Sequence, residues 1–226
     1  MSKHRNFFRS SIGSKVVVGV TGLLLLLFVV MHLGANLLIF DSADAVNAYG
    51  ASLRHLPLGA LWIARIGLLA VAVTHIFFTL RLALANKQAR PIPYAKSATV
   101  QASRASLSMV LSGTLVLAFL VFHLLHFTLH KVGNVLLSLD TIGRPDIHAM
   151  VVSAFHNPFI VMGYIGSMVL LTYHLSHGIA SLCQTFGLRG WRNSVWVDRI
   201  GPILAGILGV GFVSIPVAIW LGLVVP

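Results

Sequence analysis

Four histidines, His32, His75, His123 and His174, each lie within a separate stretch of membrane-length hydrophobic sequence. Imidazole can bind a metal, carry a proton near neutral pH or make hydrogen bonds in a protein core. An ionisable side chain at membrane depth is costly, and it usually serves a function. The placement of these four residues is therefore the first indication of what chemistry the chain performs.

The hydrophobic stretches predict an integral membrane protein. Of the 226 residues, 57 % are hydrophobic and only 9 % are charged, whereas soluble domains have about 25 % charged residues. Runs of about 20 apolar residues can cross a bilayer as helices. We predict an all-α membrane domain over residues 1–226, with five transmembrane helices at about 15–40, 58–84, 104–130, 157–186 and 200–224.

The basic residues predict the orientation of these spans. Twelve of the 16 Lys and Arg residues lie before the first span, between the second and third, or between the fourth and fifth. Because cytoplasmic loops carry the excess of Lys and Arg, we expect a cytoplasmic amino terminus in a multi-pass protein of the inner cell membrane. The net charge of +11 is explained by these loops and does not indicate a nucleic-acid partner. The apolar run through Phe40 is too long for a signal peptide and predicts a retained helix.

The segments between the spans are short, which predicts that successive spans are antiparallel neighbours in a bundle. The polar, basic segment "ANKQARPIPYAKSA" after the second span predicts an extended cytoplasmic loop on which a soluble partner could dock. The long connection before Pro158 is mildly amphipathic and predicts an interfacial helix. No internal repeat stands out in the sequence. The fifth span has two prolines and no histidine, which favours a packing or lipid-facing helix.

The alternating directions of the spans place the four histidines at two depths. His32 lies 17 residues after Lys15, which is roughly 26 Å along a helix. His123 reaches a similar height, so both belong to the outer half, whereas His75 and His174 belong to the inner half. Two levels, each with one histidine from each of two helices, are what two stacked bis-histidine haems require. The single cysteine excludes C-x-x-C-H haem attachment and an iron–sulfur cluster held by this chain alone.

Competing histidines leave the choice of ligands open. His126 follows His123 by three residues, and His177 follows His174 by three. Matched depth favours His123 and His174, although one helical turn is only about 5.4 Å. Any one of these histidines alone could equally be a hydrogen-bonded core residue. The other histidines are predicted to be terminal or interfacial: His4, His55, His130, His148 and His156.

Five segments of the chain resemble a known family. They are "MHLGANLLIF", "AVNAYGASLRHLP", "WIARIGLLAVAVTHIFFTLRLALANKQARPIPYA", "AFLVFHLLHF" and "LLTYHLSHGIASL". Together they resemble the five-helix, dihaem cytochrome b membrane-anchor subunit of succinate dehydrogenases and fumarate reductases. The similarity covers nearly the whole chain. It implies a bundle whose first four helices carry the haem ligands His32, His75, His123 and His174.

The resemblance also implies cofactors and partners. It predicts two b haems, an iron–sulfur subunit docked on the cytoplasmic face, and a flavoprotein subunit with FAD that performs the dicarboxylate chemistry. Electrons would pass between the iron–sulfur subunit, the two haems and a membrane quinone, in either direction. The chain has no Glu and no Asp deep in a span, so the intramembrane carboxylate through which some relatives are thought to move protons is absent.

Quinone carbonyls need hydrogen-bond donors in an apolar pocket near a haem edge. On the outer side, the candidate quinone-binding residues are Asn36, Tyr49, Arg54, His55 and Arg65. The inner-side candidates are Arg81, Arg104, Trp191 and Trp196. The arginines could instead pair with haem propionates, and the tryptophans could be interfacial anchors. By analogy with dihaem relatives, we expect an outer site for a menaquinone-type ligand.

Two alternatives differ in the reaction that the chain would serve. One is the dihaem anchor of a hydrogenase, formate dehydrogenase or nitrate reductase, against which the "NAYG" and "ARPIPY" segments argue. The other is a small transporter or assembly protein without haem, whose histidines line a proton or metal path.

Overall fold

A computed structural model describes residues 7, 10–89, 108–133, 138–190, 192 and 194–225. Within these ranges the regular elements are helices, and five helical segments are long and apolar enough to cross a membrane. They are Ser11–Phe40, Pro57–Gln88, Met109–Thr128, Pro158–Thr185 and Ser194–Trp220. Each overlaps one predicted span, so the prediction of five apolar helices is confirmed. The predicted docking loop at residues 85–98 lies mostly outside the described residues.

Seven α-helices make up the described chain. They are α1 (Ser11–Leu37), α2 (Ala43–Arg54), α3 (Ala60–Gln88), α4 (Met109–His123), α5 (Ile147–Ala154), α6 (Pro158–Thr185) and α7 (Ser194–Trp220). Short 3-10 segments extend α1 over Leu38–Phe40 and precede α3 at Pro57–Gly59. A π-helical segment, Leu124–Thr128, continues α4. Side-chain caps begin four of the helices, at Ser10, Ser42, Asp146 and Asn157.

The long helices differ in how extensively they contact one another. Helix α7 lies along α6, α1 packs against α3, α4 packs against α6, and α1 also contacts α6 and α7. Gly201 lies against the Ser176 backbone and Gly209 against the Thr172 side chain, which lets α7 approach α6 closely. Of the two roles expected for the fifth span, packing or lipid-facing, these contacts favour packing. Helix α3, by contrast, has no buried residue.

The two short helices α2 and α5 pack together at one end of the long helices, which we call the capped end. Asn47 of α2 donates from Nδ2 to Oδ1 of Asp146, at 3.0 Å, and its Oδ1 accepts from the backbone N–H of His148, at 3.0 Å. The helix expected in the connection before Pro158 is present as α5. His148 within it is only 6 % exposed and belongs to the packed cap, and its position at the membrane interface stays a prediction.

Arg144, in the loop before α5, forms ion pairs that link this loop to α2. Arg144 donates to Asp44 of α2 at 2.7 Å and to Asp140 at 2.8 Å. Burial acts to raise the pKa of Asp140, but hydrogen bonds from the backbone and side chain of Arg144 and the backbone of Ile142 outweigh it and lower that pKa. The Asp140 carboxylate is therefore held ionised within the loop.

The hydrophobic core lies at the capped end. It is formed by residues of the α1 extension, α5, α6, α7 and the segment that follows α7: Ile39, Val152, Phe155, Val161, Tyr164, Ile215, Ala218, Ile219 and Val224. This cluster joins the cap to α6 and α7, and it is the larger of the two clusters of buried apolar residues in the described chain.

Candidate cofactor site

The first histidine pair lies between α1 and α4. The ring centroids of His32 and His123 are 5.9 Å apart, with an interplanar angle of 82°. Two imidazoles that bind one metal from opposite sides have centroids about 6 Å apart, because each nitrogen–metal bond is about 2 Å. Phe28 stacks on His32 at 5.3 Å, and Phe119 lies 5.7 Å from the His123 ring. The structure thus brings together two imidazoles in an aromatic setting.

The second pair begins with His75 of α3. Its Nδ1 lies 3.1 Å from Oγ1 of Thr21 on α1. The Thr21 hydroxyl also lies 2.7 Å from the Val17 carbonyl; when it donates its proton there, its oxygen accepts a hydrogen bond from the His75 Nδ1–H. That arrangement leaves a lone pair on Nε2, the nitrogen free to bind a metal. Gly22 lies beside the ring, and a Cβ there would be 3.2 Å from Cε1 of His75.

His174 of α6 has the same surroundings, supplied by α4. Its Nδ1 lies 3.2 Å from Oγ of Ser112, and that hydroxyl donates to the Met109 carbonyl at 3.2 Å. A Cβ at Gly113 would lie 3.2 Å from Cε1 of His174. His174 also interacts electrostatically with His75. The structure therefore gives the members of the second predicted pair matching surroundings, although the two rings make no direct contact with each other among the described residues.

The two pairs lie at two levels along α1 and α4. Thr21 precedes His32 by 11 residues, and Ser112 precedes His123 by 11. Eleven helical residues span about 16 Å, so both helices give the same separation between the His75–His174 level and the His32–His123 level. The levels are therefore consistent when measured along either helix.

This regularity reflects a repeat that the sequence reading missed. Both helices follow the pattern Ser/Thr-Gly-x5-Phe-x3-His, and its members are Thr21, Gly22, Phe28 and His32 in α1, and Ser112, Gly113, Phe119 and His123 in α4. Four of these positions, Thr21, Gly22, Ser112 and Gly113, can be assigned a contact only once the histidines of α3 and α6 are in place. The spacing was visible in the sequence, but a four-residue match in apolar helices carries little weight alone.

A tyrosine of α6 makes a hydroxyl contact to the His32–His123 pair. The Tyr164 hydroxyl lies 3.3 Å from Nδ1 of His123 and 2.9 Å from Nδ1 of His126. His126 is fully buried within the π-helical segment, and its Nε2 has no hydrogen-bond partner in the described part of the chain. Tyr164 was not singled out from the sequence, because no spacing rule connects it to either histidine.

The structure also places the competing histidines. The His126 ring packs against Phe122, Phe127 and Tyr164, and within the described ranges it makes no ring contact with His32. His177 interacts electrostatically with His174, but among the described residues its ring makes no hydrogen bond. These placements favour His123 and His174 as members of the pairs.

The predicted quinone-binding residues are Asn36, Tyr49, Arg54, His55 and Arg65, and the structure does not bring them into contact with one another within the described ranges. Asn36 donates from Nδ2 to the His32 carbonyl at 2.6 Å. The Arg65 guanidinium lies 4.9 Å from the Trp62 ring centre. Tyr49 and Arg54 are exposed on α2, and His55 is exposed at its carboxyl end. Only Asn36 touches a histidine pair directly.

The inner-side candidates are only partly described. The Arg81 guanidinium lies 5.9 Å from the Phe78 ring centre, and Trp196 is 68 % exposed. Arg104 and Trp191 lie outside the described residues. No group of three or more His, Cys, Asp or Glu side chains that could hold a metal ion occurs in the described ranges, so the candidate sites here are two-histidine sites.

Comparison with known proteins identifies no relative. No protein-family model, no curated protein and no solved structure matches the chain.

Proposed function

We propose that the chain is the membrane-anchor cytochrome b subunit of a succinate:quinone oxidoreductase, which binds two b haems by bis-histidine ligation. It would pass electrons between an iron–sulfur subunit and membrane quinone. The observation that carries this proposal is the pairing of four histidines at two levels, His32 with His123 and His75 with His174. The family resemblance of the five sequence segments supports the choice of enzyme.

The residues present fit haem as the ligand. At the His75–His174 level, Nδ1 of each ring is hydrogen-bonded to a hydroxyl that can donate its own proton to a backbone carbonyl, and Nε2 is then the available nitrogen. At the other level, the 5.9 Å centroid separation accommodates a metal between the rings. A bound b haem supplies a one-electron carrier whose potential depends on its axial ligands and their hydrogen bonds.

The Tyr164 contacts imply a defined direction of hydrogen bonding if His123 is a ligand through Nε2. The Nδ1–H of His123 then donates to the Tyr164 oxygen, and the Tyr164 hydroxyl donates to Nδ1 of His126. His126 consequently carries its proton on Nε2, the buried atom without a described partner. Within this proposal Tyr164 orients one ligand, and His126 orients Tyr164.

The proposed topology follows from the charges. The amino terminus is cytoplasmic, the first four spans form an antiparallel dihaem bundle, and the capped end faces outward. The iron–sulfur subunit, with the FAD-containing flavoprotein attached, docks at the opposite, basic end. A menaquinone-type ligand binds at the capped end, where the predicted donors Asn36, Tyr49, Arg54, His55 and Arg65 lie on or beside α1, α2 and α3.

An absorption spectrum of the purified chain tests the haem part of this proposal. We expect reducible b-type Soret and alpha bands, and two haems per chain in a pyridine haemochrome assay. A purified chain without these bands would rule out a cytochrome and favour the transporter or assembly-protein alternative.

Co-purification at natural abundance tests the choice of enzyme. We expect the haem-loaded chain to be isolated with a flavoprotein and an iron–sulfur protein, and the complex to show succinate-dependent quinone reduction or quinol-dependent fumarate reduction. Isolation with a hydrogenase, formate dehydrogenase or nitrate reductase would retain the haems but overturn the proposed reaction.

A further inference from the structure

We propose that Thr21 and Ser112 are positioning residues that set the tautomer and ring rotation of His75 and His174, so that Nε2 of each ring is the metal ligand. This inference rests on the proposed function, which supplies the metal. It assigns a role to two hydroxyls that are otherwise ordinary residues of apolar helices.

The direction of the hydrogen bonds carries the inference. A threonine or serine hydroxyl has one proton, and in both cases a backbone carbonyl of its own helix lies within reach of it, at 2.7 Å for Thr21 and 3.2 Å for Ser112. When the proton is donated to that carbonyl, the oxygen accepts from the histidine, which places the ring proton on Nδ1. A carbonyl of α1, that of Val18, also interacts with the His75 ring and is likewise an acceptor.

The neighbouring glycines fix the position of each ring. Gly22 and Gly113 follow the two hydroxyl residues directly, and at both a Cβ would lie 3.2 Å from Cε1 and 3.7 Å from Nδ1 of the facing histidine. A side chain at either position would push the imidazole away from the hydroxyl. The hydroxyl and the glycine therefore form one unit, in which the hydroxyl sets the proton position and the glycine admits the ring.

The unit occurs twice with the same geometry, which argues against a coincidental contact. The distances from Nδ1 to the hydroxyl oxygen are 3.1 Å and 3.2 Å, and each unit lies 11 residues before a histidine of the other pair. Each of α1 and α4 thus supplies a ligand for one level and a positioning group for the other.

The chain offers matched controls for a test. Thr74 and Thr114 lie in the same helical regions as His75 and Ser112, and each donates to the carbonyl four residues earlier, at 2.7 Å and 2.8 Å. Neither hydroxyl contacts a histidine in the described ranges. Thr74→Val and Thr114→Val therefore remove a hydroxyl with the same backbone bond but without the contact in question.

The experiment compares Thr21→Val and Ser112→Ala with these controls in the intact, haem-loaded complex, by potentiometric titration followed by optical and EPR spectroscopy. Without a hydroxyl that accepts from Nδ1–H, the imidazole donates less electron density to the metal. We therefore expect the midpoint potential of the His75–His174 haem to rise and the affinity of that site for haem to fall by about 10–100-fold. The potential and affinity of the His32–His123 haem should be unchanged, and both haems should keep their wild-type values in the two control variants. Thr21→Ser, which keeps the hydroxyl, should restore the wild-type potential.

Two results would overturn the inference. The first is two haems with wild-type potentials, affinities and EPR spectra in both Thr21→Val and Ser112→Ala, which would leave the proposed function standing. The second is an Nε2–H tautomer of His75 and His174 in the 15N NMR spectrum of the haem-free, full-length wild-type chain, a measurement that needs no variant to fold. Absence of haem from the wild-type complex would instead overturn the proposed function itself, and the inference with it.

Discussion

The two histidine pairs are built differently although the same two helices contribute to both. The His75–His174 pair has a hydroxyl and a glycine beside each ring, in two matching units. The His32–His123 pair lies among phenylalanines, and only His123 has a described hydrogen bond to its ring, from a tyrosine that also contacts a buried histidine. One level is a repeated arrangement of small residues, and the other is a single aromatic cluster.

This difference shows how a repeated four-residue pattern can give two unlike histidine pairs. Repetition of Ser/Thr-Gly-x5-Phe-x3-His in α1 and α4 fixes the two levels, whereas the surroundings of each level come from the helices that cross them. At the capped end, α6 contributes Tyr164 and the hydrophobic core encloses it. Because axial hydrogen bonds and burial both affect a haem potential, the proposed haems should differ in potential.

The largest expected effect is the loss of haem from one histidine pair while the other pair keeps its haem. We expect His75→Ala or His174→Ala to remove the haem of that pair alone, and His32→Ala or His123→Ala to remove only the other, because a bis-histidine site that has lost one ligand holds haem poorly. Each variant should fall from two haems to one per chain in a pyridine haemochrome assay.

The competing histidines provide the controls for the ligand variants. His177→Ala and His126→Ala should retain two haems, although the latter leaves a cavity in a fully buried position. A one-haem product from either of these variants, together with two haems in His174→Ala or His123→Ala, would show that the ligands had been assigned to the wrong residues.

A smaller effect should sharpen the contrast between the levels. Tyr164→Phe removes the hydroxyl that bridges His123 and His126, and leaves a buried Nδ1 on each ring without this partner. We expect the haem of the His32–His123 pair to rise in potential, and the free energy of unfolding to fall by about 1–3 kcal/mol. Redox titration and thermal unfolding of the complex measure the two changes.

The control for this variant is Tyr173→Phe, which alters an exposed tyrosine next to His174. It should change neither potential. If Tyr164→Phe shifted the potential of the His75–His174 haem instead, the division into two independent levels would be wrong.

The smallest expected effect concerns the cap. Hydrogen bonds from Arg144 lower the pKa of Asp140, so the carboxylate stabilises the folded cap at pH values above its ordinary pKa of 3.8. That stabilisation should be constant between about pH 5 and 8 and be lost as the pH falls through the lowered pKa. Hydrogen exchange of the α5 amides at several pH values should therefore show faster cap opening only under acidic conditions.

Asp140→Asn should open the cap faster at neutral pH and remove most of this acid dependence. Asp41→Asn, at a carboxylate without an ion pair among the described residues, is the matched control. Equal opening rates in wild type and Asp140→Asn at pH 7 would show that the ion pairs of Arg144 do not hold the cap. Either result leaves the haem content unaffected.

The sequence was sufficient to predict the five apolar helices, because hydrophobic length is a local property of the chain. It also paired His32 with His123 and His75 with His174, since helix direction and residue number together determine depth. It missed α2, whose polar composition resembles a loop, and it did not predict that His148 is buried in the cap. Thr21, Ser112 and Tyr164 could not be found, because hydrogen bonds between distant helices leave no trace in local spacing.

The 11-residue interval in α1 and α4 makes the rotational register of these two helices critical. One residue inserted between Thr21 and His32 would turn one contact by about 100° relative to the other, because a helix has 3.6 residues per turn. If the contact at one level were kept, the contact at the other level would be lost. These two segments should therefore tolerate substitution of their exposed residues far better than any change in length. A single inserted residue would be more damaging here than many of the substitutions that alter a side chain.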